Sequence, residues 1–141
     1  MFTIDTSTQF GARLQRHLRN DAIAWLVTVD ADGMPQPSPV WFLWDADGSL
    51  LIYSEPSAKK VRNIRERPRV AIHFNGDANG GDIAILTGCA SVNATAPRAD
   101  AIAAYVEKYR DGLLGIGMTP EAFANAYTCA IRFMPERSRG H

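Results

Sequence analysis

The densest group of chemistry-bearing residues lies between Tyr53 and Phe74, a stretch reading Tyr-Ser-Glu-Pro-Ser-Ala-Lys-Lys-Val-Arg-Asn-Ile-Arg-Glu-Arg-Pro-Arg-Val-Ala-Ile-His-Phe. Six of the chain's 15 lysines and arginines fall between Lys59 and Arg69, with Glu66 the only acid among them. The pattern predicts a strand ending at Tyr53-Ser54 and an N-cap at Ser57. A helix follows from Lys59 to Arg67, with Val61 and Ile64 on its apolar face and Pro68 as its stop. A helix start offers unpaired amides and the positive end of the dipole, which suits an anion. Two lysines in that first turn oppose the dipole and so need a counter-charge. A bound phosphate supplies one, with the Ser54 or Ser57 hydroxyl as an added donor. A solvated helix face is the competing account of this charge, and it suffices for Arg65, Arg67 and Arg69.

Other familiar chemistries find no footing. There is no Ser-His-Asp set, no pair of catalytic carboxylates and no run with metal-ligand spacing; Cys89 and Cys129 are far apart, and the three histidines are scattered. The cysteines read as small buried thiols, and His73, inside an apolar strand, as a structural histidine. No side chain is assigned as catalytic and none as a metal ligand. That fits a protein whose reactive atom belongs to a bound cofactor. Fifteen basic residues offset 15 acidic ones, which disfavours nucleic acid as a partner. No apolar run reaches the roughly 18 residues of a membrane span, and no secretory signal pattern opens the chain. A cytoplasmic location is expected.

The elements that must position the basic cluster are mostly strands. With 141 residues, 46% hydrophobic and 21% charged, the chain reads as one globular domain over 1–141. A helix is predicted over residues 7–19, with Phe10, Leu14, His17 and Leu18 at helical spacing. Strands are predicted at 22–30, 40–44, 49–54, 70–74, 83–92 and 127–134. Two Asp-x-Asp-Gly turns, 30–33 and 45–48, mark hairpins. Prolines 35, 37 and 39 cannot donate to a ladder, so they must lie on an edge or a strand entrance, where backbone groups stay free for a ligand. Gly88 marks a bulge or a close approach. A helix opening at Pro97 carries Ile102, Val106, Tyr109 and Leu113 on one stripe, and Thr119-Pro120-Glu121 starts another. Six strands with small helices between them give a mainly β fold closed on itself as a barrel. Trp25 is expected in the core. Trp41 and Trp44, three apart, face opposite sides, one inward and the other toward a cofactor ring or a dimer interface; the spacing does not say which.

The order Asp47-Gly48, Tyr53-Ser54, Ser57-Ala58-Lys59-Lys60, Asn63-Ile64, Pro68 and Val70–Phe74 resembles the phosphate-binding stretch of the pyridoxamine 5′-phosphate oxidase-like split barrels. The resemblance extends over residues 10–135 and implies a six-stranded antiparallel split β-barrel. The Pro-Gln-Pro-Ser-Pro-Val-Trp-Phe run at 35–42 is most similar to the coenzyme F420-dependent branch. The resemblance implies that Lys59 and Lys60 hold the cofactor phosphate, with Tyr53, Ser54 and Ser57 beside them. Pro39, Val40 and Trp41 would lie along the ring, Asn63 would support the phosphate helix or touch the cofactor tail, and Asn75 is a further candidate. It also implies a homodimer with the site at the interface and a small-molecule substrate. Pyridoxamine phosphate oxidases carry a longer C-terminal region than this chain, so the vitamin substrate is not expected. The tail with Arg137 and Arg139 reads as a solvated terminus. The leading expectation is hydride transfer from reduced F420 to an unsaturated or quinone-like acceptor. The alternatives are an FMN flavoprotein, a non-catalytic F420 carrier or sensor, and, more distantly, a haem-degrading barrel using His17, His73 or His141.

Overall fold

In the structure, a computed structural model, residues 2–141 are described. Helix α1 (Gln9–Asn20) is capped by Thr8, whose hydroxyl accepts from the Gly11 amide at 3.0 Å. Strands β1 (Ala24–Val29), β2 (Pro35–Val40), β3 (Leu43–Trp44) and β4 (Leu50–Ser54) precede α2 (Lys59–Glu66). Then come β5 (Arg69–His73) and β6 (Ala84–Val92), a 3-10 turn (Ala99–Ala101), α3 (Ala103–Lys108), α4 (Arg110–Gly115), α5 (Pro120–Ala126) and β7 (Cys129–Gly140). The strands form one antiparallel sheet in the order β2-β1-β5-β6-β7-β4-β3.

Seven strands replace the expected six, because the apolar run 40–44 does not form one strand. Val40 ends β2 at one edge of the sheet, and Leu43 begins β3 at the other edge. Only Trp41 and Phe42 lie between, a span of no more than about 11 Å. The two edges must therefore curl toward each other, although no ladder joins them among the described residues. This open seam makes the barrel a split one. β2, with its prolines paired to β1 at Val29↔Pro35, Val27↔Pro37 and Trp25↔Pro39, sits on the edge where proline is tolerated.

Strand alternation builds the core. Leu26, Ile72, Leu86, Ile131, Phe133, Leu50 and Ile52 point inward and pack with Leu14 and Leu18 of α1 and Val61 and Ile64 of α2. Each such side chain contributes roughly 1.5–3 kcal/mol. On the opposite face of β4 and β7, Leu51, Tyr53 and Ala130 meet a second cluster from the helical segment: Tyr105, Tyr109, Leu113 and Phe123. β4 is thus buried on both faces.

Several expectations are corrected here. Ala58, not Ser57, occupies the N-cap position of α2, and no side chain caps it; Ser57 is exposed. The helix expected from Pro97 is broken at Ile102 and Tyr109 into a 3-10 turn and two short helices; of the expected stripe, Tyr109 and Leu113 are buried together with Tyr105 against β4, while Ile102 and Val106 are only partly buried. The basic tail is strand: β7 continues to Gly140 with Thr87↔Arg137 and Ile85↔Arg139 paired. Trp25 lies on the outer face, half-buried, its indole donating to Asn75 at 2.9 Å and stacked on His73. The inward face of β1 belongs to Ala24, Leu26 and Thr28. Gly88 marks a bulge as expected: the β6–β7 register shifts between Thr87 and Gly88, and a Cβ there would lie 2.1 Å from the Met134 carbonyl oxygen. No helix of the described residues is long and apolar enough to cross a membrane.

Candidate functional site

Helix α2 is held against the end of β1 by its own polar residues as well as by Val61 and Ile64. The buried Asn63 amide donates to the Thr28 hydroxyl at 3.1 Å, and Arg67 Nε donates to the Val29 carbonyl at 2.7 Å. Lys60, Asn63 and Arg67 recur at i, i+3 and i+7 and so share one helix face. Opposite that face stand the first Asp-x-Asp-Gly turn and β2. The space between is a cleft of about 390 Å³, lined by Lys59, Lys60, Arg62, Asn63 and Arg67 on one side and Thr28, Asp30, Ala31, Asp32, Gln36, Pro37 and Ser38 on the other.

Four cations face two acids in this cleft. Asp30 is committed to its own turn: it accepts from the Asp32 and Met34 amides and from Gln36 Nε2, each at 2.9 Å. The Gln36 bond, with the Met34 amide, holds its carboxyl below the usual range. Arg67 is less well served. Nη1 pairs with Glu66 at 3.0 Å and Nε with Val29, but Nη2 is buried and has no hydrogen-bond partner. Buried donors are rarely left unpaired without reason.

A second cleft, of about 250 Å³, is aromatic and is lined by Pro39, Val40, Trp41, Tyr53, Lys60, Ile116, Phe123 and Tyr127. Trp41 stacks on Phe123 at 5.5 Å and Phe123 on Tyr127 at 4.4 Å, so these walls are joined ring to ring. Tyr53 is 7% exposed, with its hydroxyl donating to the Pro97 carbonyl at 2.5 Å, and burial pushes its phenol pKa up. Phe123 comes from α5, whose start is capped by Thr119 accepting from the Ala122 amide at 3.1 Å. Lys60 lines both clefts. Its half-buried ammonium is shifted to lower pKa by burial, with Glu55 partly offsetting the shift.

The structure therefore brings together Pro39, Val40, Trp41, Tyr53 and Lys60 around one cleft and Lys59, Lys60 and Asn63 around the other. It places Trp41, not Trp44, at the aromatic cleft; Trp44 packs on the barrel core under the Arg19 guanidinium. Three candidates lie outside both linings. Ser54 is buried and turns its hydroxyl to the Glu55 carbonyl at 2.9 Å, Ser57 is exposed, and exposed Asn75 accepts from Trp25. Arg62, Gln36 and Ser38 also line the basic cleft, and so does Arg67, which the sequence pattern reads as a solvated charge. For Arg67 the i, i+3, i+7 spacing with Lys60 and Asn63 was the available signal. Ile116, Phe123 and Tyr127 carry no local signature, because only the tertiary fold brings them to Trp41.

The histidines sit elsewhere. His17 is buried between Asp21 at 2.6 Å and Asp82 at 3.0 Å, in a cluster where Arg13 and Arg16 also bind Asp82. This cluster ties α1 to the end of the loop between β5 and β6.

Fold and clefts together define the class: an antiparallel split barrel whose seam opens beside a basic, helix-backed cleft. The sequence profile described as pyridoxamine 5′-phosphate oxidase matches residues 10–141, and the chain belongs to that family. Comparison with curated proteins yields no match. Among solved structures, the chain is similar to one described as an F420 reductase, with 21% identity, 89% of this chain and 94% of that one covered, and a TM-score of 0.65. It is similar to HutZ, described as the heme storage protein from Vibrio cholerae, with 17% identity, 94% and 95% coverage and a TM-score of 0.64. A conserved hypothetical protein from Mycobacterium tuberculosis matches with 19% identity, 94% and 82% coverage and a TM-score of 0.66. At these identities the shared feature is the fold.

Proposed function

We propose that this chain is an F420-dependent oxidoreductase, transferring a hydride between reduced deazaflavin and an unsaturated or quinone-like small molecule. The observation that carries this reading is the meeting of an aromatic cleft and a basic cleft at Lys60. A planar ring joined to a phosphate needs those two environments side by side. The residues fit such a group: Arg67 has a buried nitrogen without a partner, and Lys59, Lys60 and Arg62 leave the basic cleft with an excess of positive charge. Bound there, the deazaflavin would supply the hydride-transfer chemistry. The chain's own residues bind and orient it. Lys59, Lys60 and Arg62 neutralise the phosphate, and Asn63 fixes α2 on β1. Pro39, Val40 and Trp41 flank the ring, while Tyr53, Phe123 and Tyr127 exclude water.

The structural likeness to an F420 reductase supports this branch. FMN is the alternative cofactor, since it offers the same clefts a ring and a phosphate; a carrier or sensor of F420 would use the same residues without turnover. A haem reading asks for an axial ligand. His17 is engaged by two carboxylates, His73 stacks on Trp25 and His141 pairs its backbone with Ile83, and none of the three lines either cleft. We further propose a homodimer that completes the site. Ile116, at the aromatic cleft, is 53% exposed in the single chain and its neighbour Leu114 is 74% exposed, an apolar rim suited to burial against a partner.

Fluorescence titration of the purified protein with F420 and with FMN tests the cofactor, and gel filtration tests the dimer. F420 binding in the micromolar range, followed by turnover with a quinone or enone, is the expected result. Preferential binding of FMN by a yellow protein moves the assignment to a flavoprotein, and binding of neither overturns it.

A further inference from the structure

The seam of the barrel poses an accounting problem. Phe42 is fully buried yet belongs to neither β2 nor β3, so its peptide groups have no strand partner. Buried amides and carbonyls must be paired by something. Tyr109, at the junction of α3 and α4, supplies the answer. Its hydroxyl oxygen accepts from the Phe42 amide at 2.7 Å and lies 2.8 Å from the Ala22 carbonyl and 3.0 Å from the Phe42 carbonyl. A phenol has a single proton to give. Lys108 resolves the competition: its ammonium donates to the Phe42 carbonyl at 2.8 Å, leaving the tyrosine proton for Ala22. All four groups are then satisfied. Lys108 Nζ also lies 3.6 Å above the centre of the Phe42 ring.

The same tyrosine reaches the next residue. Its ring stacks on Trp41 with centroids 4.4 Å apart and planes 8° from parallel. Gly112 packs close against the same indole: a Cβ there would come within 3.0 Å of the Trp41 ring. Helices α3 and α4 therefore hold both the backbone of the seam and the indole that follows from it, while neither Lys108 nor Tyr109 lines the aromatic cleft.

We propose that Lys108 and Tyr109 form a clamp on the barrel seam that positions Trp41 as the wall of the aromatic cleft. They are positioning residues, acting through Phe42 and Trp41. The clamp itself stands on the geometry above; only its consequence for ligand binding rests on the proposed cofactor reading.

The experiment uses the full chain with Trp25→Phe and Trp44→Phe, so that Trp41 is the sole indole. Tyr109→Phe removes the hydroxyl and keeps the stacking ring, Lys108→Met removes the donor and keeps the stem, and Leu86→Ala is a control that destabilises the distant barrel core. Trp41 emission and acrylamide quenching are read at a temperature where urea melts show every variant folded. Riboflavin against FMN, and the phosphate-free deazaflavin chromophore against F420, are titrated in parallel. The clamp predicts greater quencher access to Trp41 in both seam variants but not in Leu86→Ala. It also predicts that phosphate-bearing and phosphate-free ligands weaken by the same factor, about tenfold for Tyr109→Phe. Unchanged quenching, or a change matched by Leu86→Ala, overturns the clamp. Altered quenching in the seam variants, with no ring ligand bound even by the parent, upholds the clamp and overturns the cofactor reading instead.

Discussion

Replacing Lys60 by methionine should weaken cofactor binding while leaving the fold as stable as before or more so, and the two effects have one origin. Lys60 is half-buried where the clefts meet, and burial lowers its pKa. A group that is less basic folded than unfolded binds its proton more weakly in the native state. Between the lowered folded value and the ordinary value of 10.5, the unfolded chain holds more protons, so stability rises with pH in that window. At neutral pH the charged lysine is therefore a burden on folding, which methionine lifts while keeping most of the stem's packing. Against a bound phosphate the same charge is an asset. A hydrogen bond to an ionised partner is worth about 1.5–3 kcal/mol, so Lys60→Met should raise the Kd for FMN or F420 roughly 10- to 150-fold. The exposed Lys59 should matter less, within about 1 kcal/mol and with stronger screening by salt. Fluorescence titration at two salt concentrations gives the affinities, and urea unfolding between pH 7 and 10.5 gives the stabilities. Riboflavin, which has no phosphate, should bind both variants nearly as well as the parent. If Lys60→Met lowered stability but spared FMN and F420 affinity, the basic cleft would not be a phosphate site and the lysine would be a packing residue.

Lys108 offers a related pH test. Burial pushes its ammonium down to about 8, with Asp21 opposing the shift, so its contribution to stability should rise between about pH 8 and 10.5, and Lys108→Met should flatten that segment of a urea-derived pH profile. Gly88→Ala sets a methyl against the Met134 carbonyl at 2.1 Å; the β6–β7 bulge should shift at a cost of about 1–3 kcal/mol in urea melts. Thr119→Ala removes the cap of α5 at a cost of about 1 kcal/mol. Because α5 carries Phe123, this variant should weaken riboflavin and FMN equally, which the same titrations read.

The sequence was informative where local chemistry decides local geometry. The two Asp-x-Asp-Gly turns, the edge prolines, the Thr119 cap and the Gly88 bulge follow from rules that need only a few neighbouring residues. It was uninformative where partners distant in sequence decide. Nothing in Val-Trp-Phe-Leu-Trp says that the chain changes edges after Val40, since either reading buries the same apolar residues. Glu-Arg-Ser-Arg is poor strand sequence, but β6 offers it a ladder and the strand continues to Gly140. Trp25 on the first strand reads as core, yet strand alternation gives the inward positions to Ala24 and Leu26. The lysines at the start of α2 are legible in the sequence because they oppose the helix dipole. Arg67, at the other end, obeys the dipole and therefore reads as a solvated charge, yet its buried nitrogen without a partner is the more telling feature.

The location of the candidate site follows from the topology. A sheet whose edge strands are joined by two residues has those edges forced together, and, with no ladder between them among the described residues, peptide groups are left to be satisfied by other means. In this chain the helical segment between β6 and β7 does so through Lys108 and Tyr109, and in reaching the seam it brings Ile116 and Phe123 to the same place. The aromatic cleft is thus what remains of the gap once the seam has been pinned. The basic cleft adjoins it because the prolines that confine β2 to the edge also keep that strand free of a further partner, leaving α2 to face it with Lys60 at the junction. A variant that zipped β2 to β3 by a continuous ladder would be a better closed barrel, without the aromatic cleft.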